Sequence, residues 1–173
     1  MGKTMMSGDK NKGMAWITSL EEKLDEGDIL CILRKSPALF RKTVAGASPK
    51  WLAAHPSGGD WSRKDVLAHL LDTEAVMTFR IRKMICEEDP NISFFDQEKW
   101  IAGLRPYREK DPGKLGARFA ALRAENLALL SSLDEEQMKR TGVHPESGRL
   151  TLEELAARMA RHDINHLKQI LAG

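Results

Sequence analysis

Two histidines, His162 and His166, stand four residues apart. On a helix that spacing puts both rings on one face, one turn apart. The surrounding stripe reads Leu152, Leu155, Met159, His162, His166, Ile170, so the rings take positions that otherwise point into a core. Each buried imidazole has two nitrogens to satisfy, and leaving one without a partner is costly. A metal ion would satisfy one nitrogen per ring, and neighbouring polar groups the other. Asp163 and Gln169 are placed to be those neighbours. Spacing alone suits hydrogen-bonded core histidines as well as it suits a metal. A third histidine adds weight to the metal: His69 shares a largely apolar helical face with Val66, Thr73 and Val76. Three imidazoles from two helices form a facial set of neutral donors with open coordination positions, the pattern of a catalytic site. His55 and His144 fall in loop segments and are expected in solvent.

Other polar residues lie close to these faces. Asp72 and Thr73 follow His69 by one turn, and Arg80 by three turns at nearly the same azimuth. Arg80 reads either as an anion-binding group for a substrate or as a snorkelling surface arginine. Glu74 lies off the His69 face and reads as a surface or inter-helix ion-pair residue. Asn126 interrupts an apolar stripe. Cys31 and Cys86 sit in apolar helical patterns without CxxC spacing, and are expected as buried free thiols of a reducing cytoplasm. Neither has a local histidine to activate it. The chain has no Walker loop, no GxSxG and no dinucleotide fingerprint.

The elements that must carry these residues are helical. Apolar spacing predicts main helices over about 28–45, 62–86, 112–132 and 151–171. Pro37 either kinks the first or follows a capping Ser36. Ser62 with Asp65, and Thr151 with Glu154, are capping pairs that open the second and fourth. Residues 1–27 read as an extension, with a disordered leader over 1–13 and a short helix over 14–26 packed loosely outside the main body. A connector over 48–60 and a crossover over 91–106 are expected, the latter anchored by Phe94, Phe95 and Trp100 with a short helix near 96–102. Residues 141–150 read as a loop or small hairpin. Trp100, Phe95 and Tyr107 are candidate pocket-lining residues by position. Four amphipathic helices over 28–173 imply an all-α four-helix bundle, with two connections long enough to cross over it.

The bulk numbers exclude other classes. The 173 residues suit one domain, with 42% hydrophobic and 30% charged residues. Lys plus Arg total 27 against 25 Asp plus Glu, a formal charge of +2, which gives no footprint for nucleic acid or an anionic membrane. No apolar run is long enough to span a bilayer, and residues 1–13 do not read as a signal peptide. The expected location is cytoplasmic.

Three segments carry a family likeness. Trp61-Ser62 with Val66-Leu67-Ala68-His69-Leu70, Asp72 and Glu74 resembles the second-helix signature of the DinB-like (DinB/YfiT) superfamily. Phe94-Phe95-Asp96-Gln97-Glu98-Lys99-Trp100 resembles its segment before the third helix. Gly148, Leu150, Thr151 and His162 to Gln169 resemble its last-helix motif. The likeness implies an up-down-down-up bundle and a divalent metal on His69, His162 and His166. Zinc is the first expectation, with nickel or iron as alternatives. It also implies homodimers and a small-molecule substrate. Members with known activity resemble one another in using a low-molecular-weight thiol. The expected function is therefore a metal-dependent, thiol-dependent S-transferase for small electrophiles. The alternatives are a hydrolase using a bound hydroxide, or a non-catalytic metal-binding stress-response module.

Overall fold

The computed structural model describes residues 7–56, 59–107 and 110–172; the side chains of residues 7–10 and of Tyr107 lie outside that description. In chain order the elements are α1 (Ser7–Asp25), α2 (Ile29–Val44), α3 (Pro49–Ala53), α4 (Arg63–Cys86), α5 (Gln97–Leu104) and a 3-10 turn (Arg105–Tyr107). Then follow α6 (Pro112–Ser131), α7 (Glu135–Met138), β1 (Thr141–His144), β2 (Gly148–Thr151) and α8 (Leu152–Leu171). The two strands form an antiparallel hairpin running from Thr141↔Thr151 to His144↔Gly148, and the other named elements among the described residues are helical.

Reciprocal caps fix where the histidine-bearing helices start. Ser62 Oγ accepts from Asp65 N–H at 3.1 Å while Asp65 Oδ2 accepts from Ser62 N–H at 3.1 Å. Thr151 and Glu154 repeat the arrangement at 3.1 and 2.8 Å. Such caps satisfy orphan amides of the first turn and contribute about 1 kcal/mol each.

The packing order of the helices follows from pairs that cross between them. Both α2 and α4 pack on α6 and on α8, so α2 and α4 occupy opposite corners of a four-helix bundle. Glu74 meets Arg123, Thr78 meets Asn126 and Arg82 meets Asn126 and Glu125, so α4 and α6 are parallel. Ser36 meets Arg123 and Phe40 meets Phe119, so α2 runs against α6. Arg63, at the start of α4, donates to the carbonyls of Ile170 at 2.8 Å and Ala172 at 2.5 Å, so α8 runs against α4. The result is up-down-down-up, and it needs the long crossovers expected from the sequence.

Three expectations are corrected. Residues 1–6 lie outside the described residues, but helix α1 has already begun at Ser7, inside the expected leader. It packs against α8 and α2 instead of lying loosely outside, and Ile17 and Leu20 are fully buried. Gly13 makes this approach possible, since a Cβ there would stand 2.8 Å from Leu171 Cδ1. The second correction is confined to Ser36: α2 runs on through Pro37 as one helix, which is one of the two readings, so Ser36 caps no second piece. The proline has no N–H to give the Leu33 carbonyl four residues back. Arg123 Nη1 reaches that carbonyl at 3.3 Å from α6 and takes the missing donor's place. The third concerns the cysteines. Cys31 is half-buried, and Cys86 is exposed because it falls at the fraying end of α4.

Candidate metal centre

Arg63 ties the start of α4 to the end of α8, and that end of the bundle is where the histidines meet. His69 lies two turns into α4, and His162 and His166 lie in the last three turns of α8. His69 Nε2 stands 2.9 Å from His162 Nε2, and His166 Nε2 stands 3.1 Å from the same atom. One donor atom from each ring lies within 4.8 Å of the others. Four ligands held tetrahedrally at zinc–nitrogen distance are separated by about 3.3 Å, so these spacings suit a single small cation.

Proton counting supports that fit. Gln169 Oε1 lies 2.7 Å from His166 Nδ1 and can only accept, so that nitrogen carries the proton and Nε2 presents a lone pair. His162 Nε2 has one in-plane position, either a proton or a lone pair, yet faces two nitrogens. A neutral set can therefore satisfy only one of the two contacts by hydrogen bonding. A cation at the point of convergence satisfies all three. The two rings on α8 are also held toward the neutral form. Burial, then the neighbouring His166, pushes His162 down to about 3, against the opposing pull of Asp163. Burial lowers His166 as well, although Gln169 and Asp163 pull the other way. Neutral imidazole is the form that binds metal.

Aromatic walls hold the rings. Trp61 stacks on His166 at 6.3 Å between centroids and packs at 4.7 Å from His69. Its indole N–H donates to Glu98 on α5 at 2.9 Å, fastening the crossover over the site. Phe95 lies parallel to His69 at 6.1 Å and meets the edge of Trp100 at 4.9 Å. The Thr73 hydroxyl lies 3.4 and 3.5 Å from the His69 nitrogens.

Behind His162 lies a buried ionic network. Arg123 donates to Glu74 at 2.9 and 2.7 Å and to Asp163 at 2.5 and 3.2 Å. Asn126 donates to Glu74 at 2.7 Å, and the Ser36 hydroxyl donates to Asp163. Burial alone would lower the Arg123 pKa, but Asp163 and Glu74 outweigh it and hold the guanidinium above its ordinary value. One cation against two carboxylates leaves a net negative charge beside the histidines, which favours a cation there.

The remaining expected site residues divide. Gln169 takes its expected place on a histidine. The Asp163 hydrogen bonds run instead to Arg123 and Ser36, because the residue after His162 faces about 100° away around the helix, toward α2 and α6. Asp72 is half-buried on α4. Glu74 is an inter-helix ion-pair residue as expected, but buried, not at the surface. Arg80 is no surface arginine: it is 6% exposed, and Nη2 donates to the Ser93 carbonyl at 2.5 Å. Trp100 is 40% exposed and lines a cleft with Phe95 and Arg80. His55 is exposed and His144 half-buried.

Arg123, Phe95 against His69, and Trp61 against His166 are the parts that residue reasoning missed. The signal for Arg123 was present. Residues 115, 119, 123, 126 and 130 of α6 are all buried, so the inward stripe includes Arg123 and Asn126. Counting apolar residues alone selects Leu122 and Leu129, which are half-buried.

Known proteins resemble this chain in sequence and in fold. A sequence profile of the DinB superfamily matches residues 32–170. A protein of Oceanobacillus iheyensis, named "putative metal-dependent hydrolase", is 31% identical over 134 residues, 78% of this chain and 77% of its own length. YfiT of Bacillus subtilis bears the same designation and is 27% identical over 140 residues, 80% of this chain and 78% of its own. A solved structure of Bacillus subtilis YfiT, whose description names an unusual four-helix bundle topology, superimposes with a TM-score of 0.77 at 24% identity, covering 97% of this chain and 87% of that one.

Proposed function

The chain belongs to the DinB superfamily, and on that premise we propose that His69, His162 and His166 hold a divalent metal at which a small electrophile is attacked by a low-molecular-weight thiol. The observation that carries the metal is the convergence of three imidazole nitrogens on one point, with protons enough for only one contact. Zinc suits the donor set best, and nickel and iron are alternatives. When bound, such an ion lowers the pKa of a thiol or water that reaches it and so supplies a nucleophile at neutral pH.

This chain's residues do the rest. Gln169 fixes the His166 tautomer, Trp61 and Phe95 hold the rings in place, and α5 closes over them. The buried carboxylates Glu74 and Asp163 are committed to Arg123, so neither is presented as a general base. No cysteine joins the cluster among the described residues. Both features favour a nucleophile brought from outside, and we assign it as a thiol. The designations of the relatives favour a second reading, hydrolysis. A homodimer and cytoplasmic residence belong to the same proposal, and sedimentation of the purified chain tests the first. Among the described residues no helix is long and apolar enough to cross a membrane.

The test is turnover of a chloro-dinitroarene with a panel of low-molecular-weight thiols, alongside activated esters without thiol. S-transfer predicts turnover that needs thiol and metal together and is lost in His162→Ala. Metal-dependent ester cleavage with thiols rigorously absent would establish hydrolysis in its place.

A further inference from the structure

Five large apolar side chains stand exposed among the described residues: Met14, Phe79, Phe94, Trp100 and Leu104. Three of them, Phe79, Phe94 and Trp100, line one cleft of about 300 Å³ between α4 and the crossover. Exposed apolar residues gathered in this way mark a binding surface, whereas scattered ones need no account. The cleft shares a wall with the histidines, because Phe95 lines it and lies parallel to His69. Its far end is Arg80, eleven residues beyond His69 on the same helix, or about 16 Å along the axis.

Arg80 distinguishes this cleft from a greasy patch. It is 6% exposed, yet its Nε is the one buried side-chain nitrogen or oxygen among the described residues without a hydrogen-bond partner. An unpaired donor on a buried cation is costly to keep and has a natural complement in an anionic oxygen. Flat apolar walls with a single buried guanidinium at one end are complementary to an aromatic or similarly planar carboxylate. We propose that this cleft is the subsite that receives a small planar organic anion, its ring between Phe95, Trp100 and Phe79 and its carboxylate on Arg80. Its assignment as the substrate's subsite rests on the proposed reaction at the three histidines; binding of the anion does not.

The experiment measures binding of 2-naphthoate and of neutral 2-naphthamide to the full chain, metal-free and metal-loaded, by calorimetry. Naphthoate is expected to bind at least tenfold more tightly than the amide, in both forms of the protein. Arg80→Met removes that preference and leaves amide binding in place. Trp100→Ala, at a part-exposed position that does not threaten folding, weakens both ligands. Should Arg80→Met fail to fold, Arg80→Lys and Trp100→Ala still decide, since Lys keeps the cation and should retain part of the preference. Equal affinities, a preference that survives Arg80→Met, or no effect of Trp100→Ala would overturn the proposal. So would naphthoate binding that requires metal, which would place the carboxylate on the ion, or binding lost as the protein self-associates, which would mean a second copy covers the cleft. A naphthoate preference in a protein that takes up no metal would leave the subsite standing and remove the metal-centred reading.

Discussion

Arg123 is the residue whose loss should be felt most widely. It is 2% exposed and engages Glu74 and Asp163, each 1% exposed, with further hydrogen bonds to Ser36 and the Leu33 carbonyl freed by Pro37. Arg123→Met keeps much of the apolar stem but leaves two buried carboxylates without a cation. Removing one partner of a buried pair costs about 3–5 kcal/mol. At about 2–4 °C per kcal/mol for a chain of this size, the melting temperature should fall by roughly 6–20 °C. Adding Glu74→Gln to the variant should recover part of the loss. Thermal melts of the parent, Arg123→Met and the double variant are the assay. A variant melting within about 2 °C of the parent would mean that this network does not hold α2, α4, α6 and α8 together.

Metal-free protein should lose stability as pH falls below about 6.5, because unfolded histidine takes up a proton that His162, held down to about 3, refuses. The loss is about 1.4 kcal/mol per pH unit from that ring alone; denaturant melts of metal-free His162→Gln should show a correspondingly shallower slope. Gln169→Leu should weaken metal affinity by about 10–100-fold in a competitive chelator titration, since the His166 tautomer is then unsupported. Ile17→Ala should cost about 2–5 kcal/mol in denaturant melts, as expected for a core residue. A cost under about 0.5 kcal/mol, the range of ordinary surface changes, would return α1 to the status of a loose appendage.

The bundle was legible because its helices announce themselves in caps and stripes. Ser62 with Asp65 and Thr151 with Glu154 located the starts of α4 and α8, and Leu155, Met159 and Ile170 marked the inward face of α8, at whose half-buried margin His162 and His166 stand. The charged interior was harder to read. Arg123, Glu74 and Asp163 are ordinary surface residue types, and only their meeting across three helices makes them buried. Their placement is a tertiary property that local pattern does not carry. Helix α1 was misjudged for a related reason. Its inward stripe of Gly13, Ile17 and Leu20 begins with a glycine, which reads as a breaker until Leu171 is found against it. The same holds for Phe95 and Trp61: the sequence marks them as aromatic, while the crossover decides which imidazole each one faces.

The proposed site is one metal ion shared by the imidazoles of His69, His162 and His166. Elemental analysis of protein purified without an affinity tag, and again after reconstitution with zinc, nickel or iron, measures this directly. One equivalent per chain is expected in the parent, with its loss in His162→Ala, the ring whose Nε2 faces both others. A parent chain that takes up none of the three metals, or a His162→Ala variant that keeps a full equivalent, would contradict it.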